Sequence, residues 1–477
     1  MGRIRTTVSC WAAMLLVSAG VAQAQGPSTT GGLAELLPEL ILRDIVLPTP
    51  TTPGLSHAAH FSPLSGEGDT ANPAVEIVAG FNQLLTTQLA SLPLGSSAGG
   101  FTYAFDPALG TFVRSSRSFG PSFAERASTI GKGRLSAGFN YQHARYDSFE
   151  GEDLENGSIK FYLRHRECCT VGGPPVPPFF GVIETPDGSR LSPFFEGDVI
   201  EAAVSLKVST NTVALFGNYG LTDRWDVAVA VPFVSVDMEA NVLATLRRLS
   251  TEANPQIHTF RSGDPEAVTQ RLQRSGSASG LGDIVVRTKF RVLSTPVGAL
   301  ALGFDGRLPT GNEDDLLGGS GQAKFYVIGS SGGNRLSPHV NLGYTVSTGE
   351  RDSAGLAGHG ARSLPDEFNY AGGVEFAATP RLTLMGDLVG RTLLDTGRLR
   401  IESKEFPFLR QGAMTPSVAT FDEFSPFRGN LNAVLGTVGA KFNPFGDLLV
   451  SGSVLFPLND AGLKSRLITV IGIDYAF

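Results

Sequence analysis

The chain has 477 residues, 42% of them hydrophobic and only 17% charged, with a formal net charge of −7. Its 38 Lys and Arg are scattered without a basic stripe, which argues against a nucleic-acid partner, and three cysteines make no disulfide framework. Beyond residue 24 no run of about 18 apolar residues occurs, which excludes a transmembrane helix and leaves strands as the only way to cross a bilayer.

The first 24 residues read as a secretory signal peptide. Arg3 and Arg5 form a positive start, Trp11–Ala22 a short apolar stretch, and Ala22-Gln23-Ala24 a cleavage site, so the mature chain is expected to begin at Gln25. Cys10 precedes the apolar stretch and cannot be a lipid-bearing cysteine. Residues 25–132 do not alternate like a barrel wall. Ala34–Leu47 predicts a short helix broken near Pro38. Asn72-Pro73 is a helix start, with an amide cap and proline at the first helical position, and Ile77, Val78, Phe81, Leu84, Leu85 and Leu89 follow at helical spacing. Gly100–Arg117 reads as a hairpin turning at Asp106-Pro107 and Gly110. A segment of this size is expected to plug a lumen or to pack below it in the periplasm. Asn72-Pro73-Ala74 is also similar to a triplet of the outer-membrane long-chain fatty-acid transporters.

From residue 133 to 477 one pattern repeats: about ten alternating residues, a tight turn, ten more, then a long polar loop. In GDIVVRTKFRVL, Ile284, Val286, Thr288, Phe290 and Val292 share one face and Asp283, Arg287, Lys289 and Arg291 the other. Period-two alternation means strands with an apolar and a polar face. Short connections at 221–224, 294–297, 332–334, 379–380 and 444–446 alternate strictly with long ones at about 250–279, 310–321, 350–365 and 404–426. That asymmetry predicts an all-β fold, an antiparallel transmembrane β-barrel with apolar residues toward lipid and polar residues toward the lumen. Twelve strands are expected, at about 133–149, 198–220, 224–248, 280–294, 298–309, 322–331, 335–349, 365–378, 381–403, 427–443, 447–458 and 463–477. Ser158–Arg166 is placed in a hairpin of the first outer loop, with Cys168 and Cys169. Fourteen strands result if that segment and residues 100–117 both join the wall.

The expected lumen-lining set is Asp283, Arg287, Lys289, Arg291, Asp305, Arg307, Glu375, Asp387 and Arg391, with Asp226, Lys324, Lys441 and Asp474 on the same face. Two readings apply: cross-wall pairs that hold the interior together, or a constriction that filters solutes by charge. Among the seven histidines only His143 and His339 fall within strands, neither beside a nucleophile and carboxylate, and no G-x-S-x-G elbow occurs, so no enzyme is expected. Glu313, Asp314 and Asp315 lack the spacing of a calcium loop, and His57 with His60 reads more simply as polar linker than as a metal pair. No cofactor and no metal are implied. Asp264-Pro265-Glu266 predicts a short lid helix in the loop 251–280. Phenylalanine outnumbers tryptophan 31 to 2. Phe179, Phe180, Phe194, Phe195, Phe406, Phe408, Phe421, Phe424 and Phe427 fall in outer loops, as buried packing or as an apolar collecting surface.

The last residues, LITVIGIDYAF, alternate to the end. Gly472, Tyr475 and Phe477 resemble the C-terminal sorting signal of bacterial outer-membrane proteins, although Val470 stands where that pattern prefers a polar residue. The resemblance implies recognition by the barrel-insertion machinery and location in the outer membrane. Finally, Ser279–Leu293, Ala299–Gly311 and Leu336–Val346 are similar to the outer-membrane protein family associated with meta-pathway phenol degradation. Gly282-Asp283, Leu308-Pro309-Thr310-Gly311 and the Leu-Ser-Pro turn carry the likeness, over roughly residues 200–477. It implies a barrel that passes small, often aromatic or apolar, molecules. The expectation is therefore an outer-membrane channel for passive uptake of such solutes, with membrane lipid around it. The alternative is a structural barrel with a closed lumen and a partner-binding periplasmic segment.

Overall fold

The computed structural model describes residues 32–48, 73–89, 95–96, 100–106, 108, 111–114, 116–164, 183–184, 190–191, 197–332, 335–348, 350–351, 362–410, 413 and 415–477. The expected signal peptide, His57, His60, Asn72, His165, Cys168, Cys169, His359, Phe179, Phe180, Phe194 and Phe195 lie outside the described residues.

Two helices come first, α1 (Leu36–Leu42) and α2 (Pro73–Leu89), then a hairpin of β1 (Tyr103–Asp106) and β2 (Thr111–Arg114). The wall strands follow: β3 (Leu135–Tyr146), β4 (Ile159–Arg164), β5 (Val199–Thr222), β6 (Trp225–Arg247), β7 (Thr269–Leu281), β8 (Val285–Ser294), β9 (Ala299–Arg307), β10 (Gly321–Ser330), β11 (Leu336–Thr348), β12 (Glu367–Thr379), β13 (Leu382–Phe408), β14 (Ser417–Phe442), β15 (Leu448–Pro457) and β16 (Ile468–Ala476). Twelve of them form a closed antiparallel barrel, β3-β5-β6-β8-β9-β10-β11-β12-β13-β14-β15-β16 and back to β3. The closing seam pairs Ile473 with Phe139, and the Phe477 N–H donates to Leu135 O at 2.8 Å, so the apolar end of the chain is tied to its neighbour.

The outward face is apolar. Leu215, Phe233, Leu302 (50% exposed), Phe325 (58%), Leu342, Leu384, Val438 and Ile471 all stand free of the protein around the ring. Aromatic residues sit at both rims of this band, Trp225, Phe376, Phe442, Tyr475 and Phe477 at the turn end and Tyr141, Phe233, Tyr344 and Phe368 at the loop end. Such a surface costs about 25 cal/mol per Å² in water and nothing in hydrocarbon. A closed ring with no strand edge and an apolar exterior spans a bilayer, with short turns at one end and long loops at the other.

Above the apolar band the pattern inverts within single strands. On β5 the inward residues are Asn218, Phe216, Ala214, Thr212 and Thr210 below, polar and apolar mixed, and Val208, Leu206, Val204 and Ala202 above, all apolar. On β6 the buried series Val236, Met238, Ala240, Val242 and Ala244 continues the inward line of Asp226 and Ala228. The outward face turns polar at the same height, with Asp237, Glu239 and Asn241. The strands therefore leave the membrane and carry on as the wall of a soluble half with an apolar interior. That interior is filled by α1 and α2. Phe81, fully buried, meets Phe149 at 4.5 Å and Phe161 at 5.9 Å between ring centroids. Arg274 on β7 pairs with Glu39 and Asp44 beside α1, and Asn82 donates to Ala34 O at 2.8 Å, joining the helices.

Several sequence expectations change. Ala34–Leu47 is not broken at Pro38, because that proline lies in the first turn of α1, where no intrahelical N–H is needed. No lid helix follows Asp264-Pro265-Glu266. Those residues form a turn, and Thr269–Leu281 is strand β7, paired residue for residue with Thr245–Phe233 of β6. The ladder outweighs local helix signals, since β6 would otherwise leave a bare edge. β7 and β8 are one wall strand interrupted at residues 282–284, opposite Pro232, which has no N–H to give. Ser158–Arg166 contributes β4, which pairs with the outer end of β5 and lies outside the ring of twelve. Residues 404–426 are mostly the outer part of the β13–β14 hairpin. Its phenylalanines are not a collecting surface: Phe406, Phe408 and Phe424 are buried, and Phe406 and Phe421 pack on Tyr162 at 5.8 and 5.0 Å.

The barrel itself is tested by gel mobility: folded protein should run ahead of boiled protein. Phe81→Ala should keep that shift, because the membrane ladder is untouched, yet cost about 3–5 kcal/mol in the outer half. Limited proteolysis within α2 should rise accordingly.

Candidate functional site

The turn-end half of the lumen is occupied by residues 116–131, an extended stretch with no periodicity of its own. Its backbone is held by inward side chains of the wall. The N–H groups of Phe119, Gly120, Ser122, Ala127 and Ile130 donate to Thr383, Glu375, Asp387, Ser330 and Asp226 at 3.0–3.3 Å. Lys441 Nζ donates to Pro121 O at 2.9 Å, and Asn341 bonds Glu125 through both its N–H and C=O. Two charged residues lock the stretch. Arg126 makes a bidentate pair with Glu375, Nε to Oε1 at 2.9 Å and Nη2 to Oε2 at 2.7 Å. Glu125 faces Arg287 and Lys289. Each of these groups is desolvated, and the geometry and extra hydrogen bonds offset that cost.

Above this stretch a cavity of about 230 Å³ remains. Phe123 and Glu125 form its floor, and Gln88 at the end of α2 with Leu463–Ser465 its upper side. Register places Arg287, Asp305, Lys324, Thr345 and Glu367 side by side across five strands, all facing inward. One step toward the turns, Lys289, Gly303, Tyr326, Gly343, Asn369 and Arg391 form the next row. Arg287 holds Asp305 in a fork at 2.7 and 2.8 Å, and Tyr326 donates to the same carboxylate at 2.9 Å. Arg391 lies 3.9 Å from Glu367. Lys464, in the loop above, is pushed down to about 8 by burial and by Arg391 nearby.

The sequence-derived set thus divides by position. Arg287, Asp305, Arg307 and Arg391 line the cavity. Lys289, Glu375 and Asp387 hold residues 116–131, with Asp387 also 2.8 Å from His339 Nε2. Arg291 donates to Asp223 O at the turn end. Asp283 serves the outer loop instead, accepting the N–H groups of Gly311, Gly319 and Ser320 at 3.0, 2.8 and 3.3 Å. Reasoning from strands missed Glu125 and Arg126, whose segment has no period and no motif. Among the described residues no three His, Cys, Asp or Glu gather as a metal set.

One carboxylate–histidine pair lies outside the lumen. At the outer rim Asp198 accepts the N–H groups of Leu249, Ser250 and Thr251 and the Thr251 hydroxyl, and lies 2.7 Å from His258 Nδ1. Burial opposes its charge, but the His258 bond and charge, with Thr251 and the backbone, outweigh it and hold the carboxyl below its ordinary range. The threonine hydroxyl is spent on the aspartate and both acid and imidazole are fully enclosed. The cluster clamps the loop after β6.

Residues 195–387 match the family described as Putative MetA-pathway of phenol degradation. Among curated proteins no sequence matches. Solved structures with a similar course include an outer membrane channel from Pseudomonas putida F1, at 12% identity, covering 74% of this chain and 98% of that one with a TM-score of 0.42. A Pseudomonas aeruginosa FadL homologue follows at 10% identity, 72% and 90% coverage and 0.29. The Ralstonia pickettii toluene transporter TbuX stands at 11%, 82% and 99%, and 0.28.

Two measurements check this geometry. Arg126→Ala leaves Glu375 buried without its partner, a loss of about 3–5 kcal/mol; residues 116–131 should loosen, and a cysteine at position 122 should label faster from the periplasmic side. For the rim clamp, the folded carboxyl lies below its unfolded value of about 3.9, so its contribution is complete above that pH and is lost as pH falls further. Protease nicking of residues 249–268 should be flat from pH 7 to 5 and rise below about pH 4, and Asp198→Asn should bring it to neutral pH.

Proposed function

We propose that this chain, which over residues 195–387 matches the family described as Putative MetA-pathway of phenol degradation, is an outer-membrane channel for passive uptake of small apolar or aromatic solutes. The observation that carries the reading is the 230 Å³ cavity inside the closed wall. A cavity of about 150 Å³ accepts benzene, so this one suits a single substituted ring. Within the N-terminal segment, α1 and α2 act as the upper part of the plug and residues 116–131 as its lower gate. Gly472, Tyr475 and Phe477 serve as the mark read by the barrel-insertion machinery.

A second reading, a structural barrel with a closed lumen, is favoured by the ion pairs that hold residues 116–131 across the pore. Uptake separates the two. Cells carrying the chain should take up a radiolabelled one-ring aromatic several-fold faster than cells without it, and Arg126→Ala should raise both this rate and single-channel conductance. Equal uptake with and without the chain would favour the structural reading.

A further inference from the structure

The chain has a formal net charge of −7, yet the turn end of its wall is basic. Of the six strands that rise from that end, four are entered through an arginine: Arg134 before Leu135 of β3, Arg224 before Trp225 of β6, Arg335 before Leu336 of β11 and Arg381 before Leu382 of β13. β15 is instead entered through Asp447 and β9 through Gly298. Some of these charges serve the fold. Arg134 lies over the Tyr103 ring at 4.5 Å, and Asp447 accepts the Tyr103 hydroxyl at 2.7 Å. Arg224 shares its turn with Asp223, whose carboxylate accepts the Lys132 N–H at 3.2 Å. Arg335 and Arg381 differ. Their turns, 331–335 and 379–381, contain no acid, and both residues are exposed. Glu375, on the strand between them, faces inward and is held by Arg126. Among the described residues neither arginine side chain has an ion pair, a hydrogen bond or a ring partner.

The two arginines stand at the edge of the same apolar row. Phe376 of β12 is paired on one side with Leu336 of β11 and on the other with Leu384 of β13. All three point away from the lumen, exposed by 53%, 40% and 45% in ring order. Arg335 O accepts the Ala377 N–H at 2.8 Å, and Ala377 is paired with Thr383, two residues along β13 from Arg381. Two strand spacings across and two residues along put the arginine Cα atoms about 12 Å apart. Both guanidinium groups therefore reach one headgroup placed just beyond Phe376. That is the height at which aromatic side chains mark the boundary of the hydrocarbon and lipid phosphates begin.

We infer that Arg335 and Arg381 form a docking site for an anionic phospholipid of the leaflet at the turn end, its phosphate between the two guanidinium groups and an acyl chain along Leu336, Phe376 and Leu384. A guanidinium matches a phosphate through paired N–H groups. A zwitterionic headgroup carries a cation of its own, which two unpaired arginines repel. A soluble anion would satisfy the charges and leave the apolar row unused. The site is independent of the channel reading, since a sealed barrel would hold the lipid equally well.

Tryptophan quenching reads this site directly. Beyond residue 24 the chain has one tryptophan, Trp225. Trp225→Phe with Phe376→Trp moves the fluorophore between the two arginines, and Trp225→Phe with Phe233→Trp moves it to the loop end of the apolar band. Each folded chain is placed in phosphatidylcholine vesicles carrying brominated phosphatidylglycerol or brominated phosphatidylcholine. At position 376 phosphatidylglycerol should be preferred about tenfold, as two arginines near a membrane surface allow, and salt should weaken the preference. At position 233 the two lipids should agree within twofold. Adding Arg335→Gln and Arg381→Gln to the first chain should bring its ratio within twofold of one, with the gel-mobility shift retained. Equal ratios at the two positions, or a preference that survives loss of both arginines, would overturn the inference. So would relief of quenching by inorganic phosphate beyond that by potassium chloride of equal ionic strength, because it would mark a site for a free anion. If the arginine variant does not fold, the comparison of positions 376 and 233 decides alone.

Discussion

Hydrocarbon offers no hydrogen bonds, and the rest of the structure follows from that constraint. Every wall strand must give its N–H and C=O groups to a neighbour, and the only sheet that leaves none over is a closed one. β16 accordingly pairs on both sides, with β15 and with β3. Once closure is required, each strand has one face to lipid and one to the lumen. The apolar outward series and the polar inward series are then two consequences of one pairing.

The lumen inherits a difficulty from this arrangement. Inward residues are polar because the outward ones cannot be, and a narrow polar interior in low dielectric needs every charge answered. The chain meets the need with its own residues 116–131, whose backbone and whose Glu125 and Arg126 complete Glu375, Asp387, Asp226, Lys289 and Lys441. Above that stretch the interior is not filled, and the cavity lies there.

The outer half obeys the opposite rule. Where β5, β6, β13 and β14 rise beyond the lipid their outward face meets water, and burial drives the apolar residues inward around α2. One strand thus serves two solvents, and the change along Val208–Thr210 on the inward face of β5 and along Phe233–Asp237 on the outward face of β6 marks where one gives way to the other.

Much of the wall is legible in the sequence, because alternation is a local property and the short turns recur beside it. The twelve strand positions, the inward parity of Arg287, Asp305 and Asp387, and the two helices with their hairpin can be read without a structure. Pairing across long range cannot. β7 looks like a lid loop until β6 offers it an edge, and β4 looks like a hairpin until β5 does. Asp283 has lumen parity but spends its carboxylate on a loop 28–37 residues away. Residues 116–131 have no period at all, so their path through the pore and their pairs with Arg287 and Glu375 exist only in three dimensions. The sequence by itself determined which faces meet lipid and which meet the interior. Tertiary structure decided which charge answers which, because an ion pair depends on distance across the barrel and not on position along the chain.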